Sequence, residues 1–150
     1  MNINALLDEK SIFIPLATGE KNAIISDLID GLQASGCISD KQEYMNAVLA
    51  RENTGSTGIG FGVAIPHGKS AGVSKPGLAF AKLAAPVDWQ SLDGEPVRVV
   101  FMIAVPQEAA GNEHLQILIA LSRKLIDSEF RDKLMAVESP EQLKSLLATI

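Results

Sequence analysis

Glu52-Asn-Thr-Gly-Ser-Thr-Gly-Ile-Gly-Phe-Gly-Val-Ala-Ile-Pro-His-Gly68 lies near the middle of a 150-residue chain. Four of the ten residues from Asn53 to Gly62 are glycine, which suits a loop or bulged strands and argues against a helix. Such backbone lets the chain approach something closely. Val63-Ala64-Ile65 is a short apolar run, and Pro66 both removes an amide donor and biases Ile65 to extended geometry, so a strand is expected to end there. His67-Gly68 then stands at the mouth of that strand.

Working upstream, Asp40 with Glu43 three residues on resembles a capping box, opening a helix through Tyr44, Val48 and Leu49 that ends near Arg51-Glu52. Before it, Thr18 is the expected cap of a helix in which Ile24, Leu28 and Leu32 recur at four-residue spacing until Gly36 stops it. Ser11-Ile12-Phe13-Ile14 reads as a short extended start. Downstream, Leu78–Leu83 and Val97–Val105 read as strands, the second apolar almost throughout and so buried on both faces. Asp93-Gly94 between them signals a turn. From Asn112, the expected cap, the pattern turns helical, with Leu115, Leu118, Ile119 and Ser122 on one face. Ser128 starts a further helix, and Ser139-Pro140-Glu141-Gln142 is a capping box with proline in the first turn, opening the last. Helices, strands, then helices predict an α/β fold: a single domain over 1–150 with a mixed β-sheet flanked by several α-helices.

Composition narrows the function classes. Hydrophobic residues make up 47% and charged residues 21%, a globular composition. Val97–Val105 carries Arg98 and is far shorter than the roughly 20 apolar residues of a membrane-spanning helix, so no direct membrane insertion is expected. Asp8 and Glu9 interrupt any secretory signal pattern at the start, which places the protein in the cytoplasm. One cysteine, Cys37, excludes an internal disulfide framework and reads as a buried structural residue. A net charge of -5 argues against nucleic acid as partner. No His, Cys, Asp or Glu cluster has metal-ligand spacing and no nucleotide-binding loop is present, so no cofactor is expected.

His67 is the residue with the most suggestive surroundings. A neutral imidazole near pH 7 can attack phosphorus through a ring nitrogen without a separate base. Neighbouring glycine amides and one cation would supply the positioning and electrostatic stabilisation that phosphoryl transfer needs, and Arg51 is the nearest cation in sequence. The plain alternative is a surface or hydrogen-bonded structural histidine. His114, early in a helix whose dipole favours anions, has the same two readings. Ser56 and Thr57 read as turn formers or phosphate contacts, and Trp89 as packing on a loop.

The run from Glu52 to Gly68 closely resembles the phosphorylation-site signature of the mannitol/fructose (type 2) class of enzyme IIA domains. An acidic residue, six spacers, an aliphatic, a glycine and two spacers precede aliphatic-Ala-aliphatic-Pro-His-Gly, all in register. The resemblance extends to Leu49-Ala50-Arg51-Glu52, Val97–Pro106 and Glu113-His114-Leu115, and so over essentially the whole chain. It implies a phosphotransferase component that receives a phosphoryl group from the carrier HPr on His67 and passes it to a cysteine of enzyme IIB, with the IIC permease downstream. It also implies that Arg51 is the active-site arginine and His114 a second histidine beside the first. Asp88-Trp89 through Asp93-Gly94-Glu95-Pro96 and Gly111–Leu115 look fructose-type. The alternative is a regulatory phosphoprotein of the nitrogen-related branch. A hydrolase using a His67–His114 pair would need a closed substrate pocket.

Overall fold

Val97–Pro106 is apolar at all but one interior position and forms the central strand, β6, of a six-stranded mixed sheet. In the computed structural model, which describes residues 3–108 and 113–150 and the side chains of these except Glu113 and His114, a short 3-10 turn (Ile3–Leu6) leads into β1 (Leu7–Leu16). Then come α1 (Lys21–Ala34), α2 (Lys41–Asn53), β2 (Gly58–Gly60), β3 (Val63–Ala64), β4 (His67–Ser70), β5 (Gly77–Val87), β6, α3 (Glu113–Leu125), α4 (Ser128–Met135) and α5 (Pro140–Leu147). The strand order is β1-β5-β6-β3-β2. β5 runs antiparallel to β6, and β1 is parallel to β5.

Alternation along β5 and β6 gives the sheet two faces. Ala79, Ala81, Val100, Met102 and Ala104 face one cluster with Ile24, Leu28 and Leu32 of α1, Tyr44 and Val48 of α2, and Trp89. Leu78, Phe80, Val99, Phe101, Ile103 and Val105 face the other with Ile117, Leu121 and Leu125 of α3, Phe130 and Leu134 of α4, and Leu143 and Leu147 of α5. This is the expected single α/β domain, with one hydrophobic layer on each side of the sheet.

Several helix ends form as read. Asp40 accepts the Glu43 amide at 3.1 Å and Ser139 the Gln142 amide at 3.2 Å. Gly36 has φ +86° and donates to Gln33, while Cys37 donates to Leu32, the paired bonds that close a helix on a left-handed residue. Three expectations are corrected. Glu20, not Thr18, caps α1, accepting the amides of Asn22 and Ala23, because the helix begins at Lys21 and Thr18, two residues short of the cap position, donates to Asp27 at 2.5 Å. β1 and β5 run longer than read, Leu7–Leu16 and Gly77–Val87, since pairing with neighbours carries them beyond their apolar cores. On α3, Leu115 and Ile119 are exposed and Ser122 with them; the stripe driven into the sheet is Ile117, Leu121 and Leu125, with Leu118 half-buried. The Asn112 cap lies outside the described residues.

Candidate functional site

Two short strands pair in succession with the same edge of β6. β3 matches Val63 to Val99 and Ala64 to Val100; β4 matches His67 to Ile103 and runs on to Ser70 opposite Pro106. Ile65 and Pro66 interrupt the ladder between them. Pro66 has no amide to give, and the Ile65 amide turns away from β6 to donate to the Thr57 carbonyl at 2.9 Å. His67 therefore begins a strand instead of standing beyond the end of one, as the sequence led us to expect. The segment His-Gly-Lys-Ser has no apolar alternation and is extended because β6 offers it a partner.

The half-buried His67 ring is oriented by its neighbour. Nδ1 lies 2.9 Å from the Ile65 carbonyl oxygen. A carbonyl only accepts, so Nδ1 carries the proton and, in the neutral ring, Nε2 carries the lone pair. Gly68 faces the opposite side, toward α2, so strand alternation turns His67 to the face covered by α3, whose second residue is His114.

Arg51 belongs to the other layer. A side chain at Gly72 would strike Asp40 and Tyr44; one at Gly68 would strike Tyr44, Ala47 and Val48. The contacts thus move toward the C-terminus of α2 as the chain is followed back from Gly72 through β4 toward His67, and Arg51, one turn beyond Val48, is next in that series. Its guanidinium donates to the Gly55 carbonyl at 2.8 Å and to the Thr54 hydroxyl at 3.3 Å. The fold thus sets β4 against the α2 face that leads to Arg51; the side chain of His114 lies outside the described residues.

Gly58 and Gly60 have a different reason from the one their proximity to His67 suggested. A Cβ at Gly58 would collide with Ser91, whose Cα would be 3.0 Å away, and one at Gly60 would lie 3.1 Å from the Asp93 carboxylate. What the chain approaches closely is its own 88–95 segment. Phe61 and Gly62 have φ values of +59° and +76° and join β2 to β3 as a two-residue loop. Asp93 accepts the Glu95 amide at 3.0 Å and the Phe61 amide at 3.1 Å, and these bonds lower its pKa below the usual carboxylate value.

Sequence reading missed one constellation. Glu52 takes an ion pair from Lys21 at 2.9 Å with its side chain only 5% exposed, and it accepts both the hydroxyl and the amide of Thr57. The indole Nε1 of the fully buried Trp89 donates to that hydroxyl at 3.3 Å, and the Ser56 hydroxyl donates to the Trp89 carbonyl at 2.6 Å. Ser56 and Thr57 are thus turn-holding residues, and Trp89 is a core anchor, more than loop packing. The acidic residue seven places before Ile59 was the only signal for this network. A second missed residue is Tyr44, which donates to the Ile103 carbonyl at 2.8 Å directly behind His67; burial pushes its phenol far above the ordinary value, with Cys37 adding to the rise.

Among the described residues no cluster of His, Cys, Asp and Glu could hold a metal ion, and no helix is long and apolar enough to cross a membrane. An open groove of about 560 Å³ between α4 and α5, lined by Lys133, Val137, Glu141 and Leu146, contains none of these site residues.

The chain is 40% identical over 147 residues to the fructose-specific EIIABC component of Bacillus subtilis, covering 98% of this chain and 23% of that protein. It thus spans under a quarter of that longer relative. A crystal structure of the nitrogen regulatory protein IIA-Ntr from Neisseria meningitidis superposes with a TM-score of 0.87 at 35% identity, covering 97% of this chain and 98% of that one. The IIA chain in the complex of mannitol enzyme IIA with phosphorylated enzyme IIB from Escherichia coli superposes at 0.81 with 26% identity, covering 96% and 98%. The family described as "Phosphoenolpyruvate-dependent sugar phosphotransferase system, EIIA 2" matches residues 5–149. This chain belongs to that EIIA 2 family and is a phosphotransferase component of the sugar phosphotransferase system.

Proposed function

We propose that this chain is a cytoplasmic phosphoryl carrier that accepts a phosphoryl group from HPr on His67 and hands it to a cysteine of a cognate enzyme IIB, serving fructose uptake through a IIC permease. The observation that carries this reading is the bond from His67 Nδ1 to the Ile65 carbonyl. It presents Nε2 as the nucleophile. In the transfer, the Nε2 lone pair forms the new N–P bond while the P–N bond of the donor phosphohistidine breaks, and the donor nitrogen keeps the electron pair. The ring then carries both the phosphoryl group and the Nδ1 proton, and its positive charge is held by the Ile65 carbonyl. That charge makes the imidazole a good leaving group, so an attacking thiolate of IIB takes the phosphoryl group and the electron pair returns to Nε2. Arg51 is assigned to neutralising the phosphoryl oxygens, and His114 to contacting them without covalent attachment.

The fructose and IIB assignments draw on the fructose EIIABC relative and on the IIA–IIB complex of the mannitol protein. Likeness to the nitrogen regulatory IIA favours a second reading, in which the same phosphohistidine controls partners instead of feeding a permease. A half-exposed histidine on a sheet edge is a poor start for the hydrolase alternative, which needs its substrate enclosed. The test is incubation with enzyme I, HPr and phosphoenolpyruvate, then phosphosite mapping and transfer to candidate IIB domains. One acid-labile, base-stable phosphoryl group is expected, lost in His67→Ala and transferred more slowly in Arg51→Ala. Labelling that persists in His67→Ala would sink the proposal.

A further inference from the structure

We infer that Glu52 is a positioning residue of the transfer site, acting through Thr57 and Ile65 on the ring of His67. The inference rests on the carrier reading above but is carried by a separate chain of bonds. Glu52 binds the Thr57 amide and hydroxyl, the Thr57 carbonyl accepts the Ile65 amide, and the Ile65 carbonyl accepts His67 Nδ1–H. With Pro66 between Ile65 and His67, there is no amide at that position to hold the carbonyl's direction by another route.

The same ring of residues also contains the arginine. Arg51 precedes Glu52, and its guanidinium is bonded to Thr54 and Gly55 inside the loop that Glu52 closes on Thr57. Loosening Glu52 therefore frees both the cation and the orienting carbonyl. Trp89 and Ser56 fasten the loop to the core from the other side, and Lys21 Nζ, 5.4 Å from the indole centroid, supplies the counter-charge.

Stability alone is a weak reason for this arrangement. A buried ion pair loses desolvation energy comparable to what it gains by attraction, and an apolar side chain of similar size would usually serve the core as well. A carboxylate supplies what an apolar residue lacks: two acceptor oxygens that fix the amide and hydroxyl of one residue at once. That fixation is worth most where misplacement by an ångström slows group transfer about 10²-fold.

The test compares Glu52→Gln, Thr57→Val and Thr57→Ser by two measurements on the folded proteins. The first is transfer from phosphorylated HPr resolved into kcat and KM; the second is the tautomer of His67 from the nitrogen shifts of its ring. Glu52→Gln and Thr57→Val are expected to lower kcat about 10- to 100-fold with KM unchanged, and to deplete the Nδ1–H tautomer. Thr57→Ser, which keeps the hydroxyl, restores both. Wild-type kcat and tautomer in folded Glu52→Gln overturn the inference, as does failure of Thr57→Ser to rescue what Thr57→Val loses. The tautomer needs no phosphoryl transfer to be measured, so its depletion supports the positioning role even if His67 proves not to be the labelled residue.

Discussion

Tyr44→Phe removes one hydroxyl from the interface between α2 and the strand behind His67, and its effect should reverse sign with pH. The phenol is fully buried and donates to the Ile103 carbonyl at 2.8 Å. At neutral pH its loss should cost about 1–2 kcal/mol, the usual range when a buried acceptor loses its partner, or a melting temperature lower by about 2–8 °C for a chain this long. Burial raises the folded-state pKa well above the unfolded value of about 10. The contribution of the neutral phenol is therefore fully present below pH 10 and is lost as pH rises, because only the unfolded chain sheds the proton. With the folded phenol still protonated, that loss is about 1.4 kcal/mol at pH 11 and about 2 kcal/mol at pH 11.5. Wild type and Tyr44→Phe should be equally stable near pH 11, and the variant the more stable above it. Tyr44 is the only tyrosine and Trp89 the only tryptophan, so the difference between the proteins isolates one phenol and one indole reports both unfolding curves. Urea titrations followed by tryptophan emission from pH 7 to 11.5 would measure it. A stability difference that stays constant across that range would refute the reasoning.

Gly68→Ala places a Cβ 3.3 Å from Tyr44 and Val48 and 3.4 Å from Ala47, a few tenths of an ångström inside ordinary contact. It should cost about 1 kcal/mol by thermal melting and slow phosphoryl transfer, since the yielding strand begins at His67. Asp93, whose pKa is held down by the Glu95 and Phe61 amides, stabilises the β2–β3 turn at pH values above the ordinary carboxylate pKa; that contribution fades as pH falls through the lowered value. Exchange of the Phe61 amide, measured against pH, should lose protection in acid for wild type, while Asp93→Asn should show weak protection at every pH.

Much of the layer structure was legible because it follows from local pattern. The capping residues Asp40 and Ser139, the stop at Gly36 and the doubly buried Val97–Val105 each need only near neighbours in sequence to be read. The misreadings share a cause. Thr18 and Glu20 are both competent caps, and the choice is made by where the helix begins, at Lys21, which puts Glu20 at the cap and leaves Thr18 to donate to Asp27 nine residues on. Helix α3 carries apolar residues at two phases, and only contact with Val99, Phe101 and Ile103 decides that Ile117, Leu121 and Leu125 go inward while Leu115 and Ile119 stay at the surface. Gly58 and Gly60 of the motif are required by Ser91 and Asp93, 33 residues away, a distance at which periodicity carries no information.

By itself the sequence determined the chemistry on offer: a histidine after Pro66, an arginine ending a helix, and a chain with one cysteine and net negative charge. It named His67 because residue type and immediate neighbours are local facts. Which ring nitrogen holds the proton was decided only in three dimensions, because it depends on where the Ile65 carbonyl points. That direction is set by a bond from the Ile65 amide to Thr57, which is held in turn by Glu52 and Trp89. Hydrogen bonds between segments brought together by the packing of α1, α2 and the sheet leave no period in the chain, so the acidity of Glu52 was visible in sequence while its task was not.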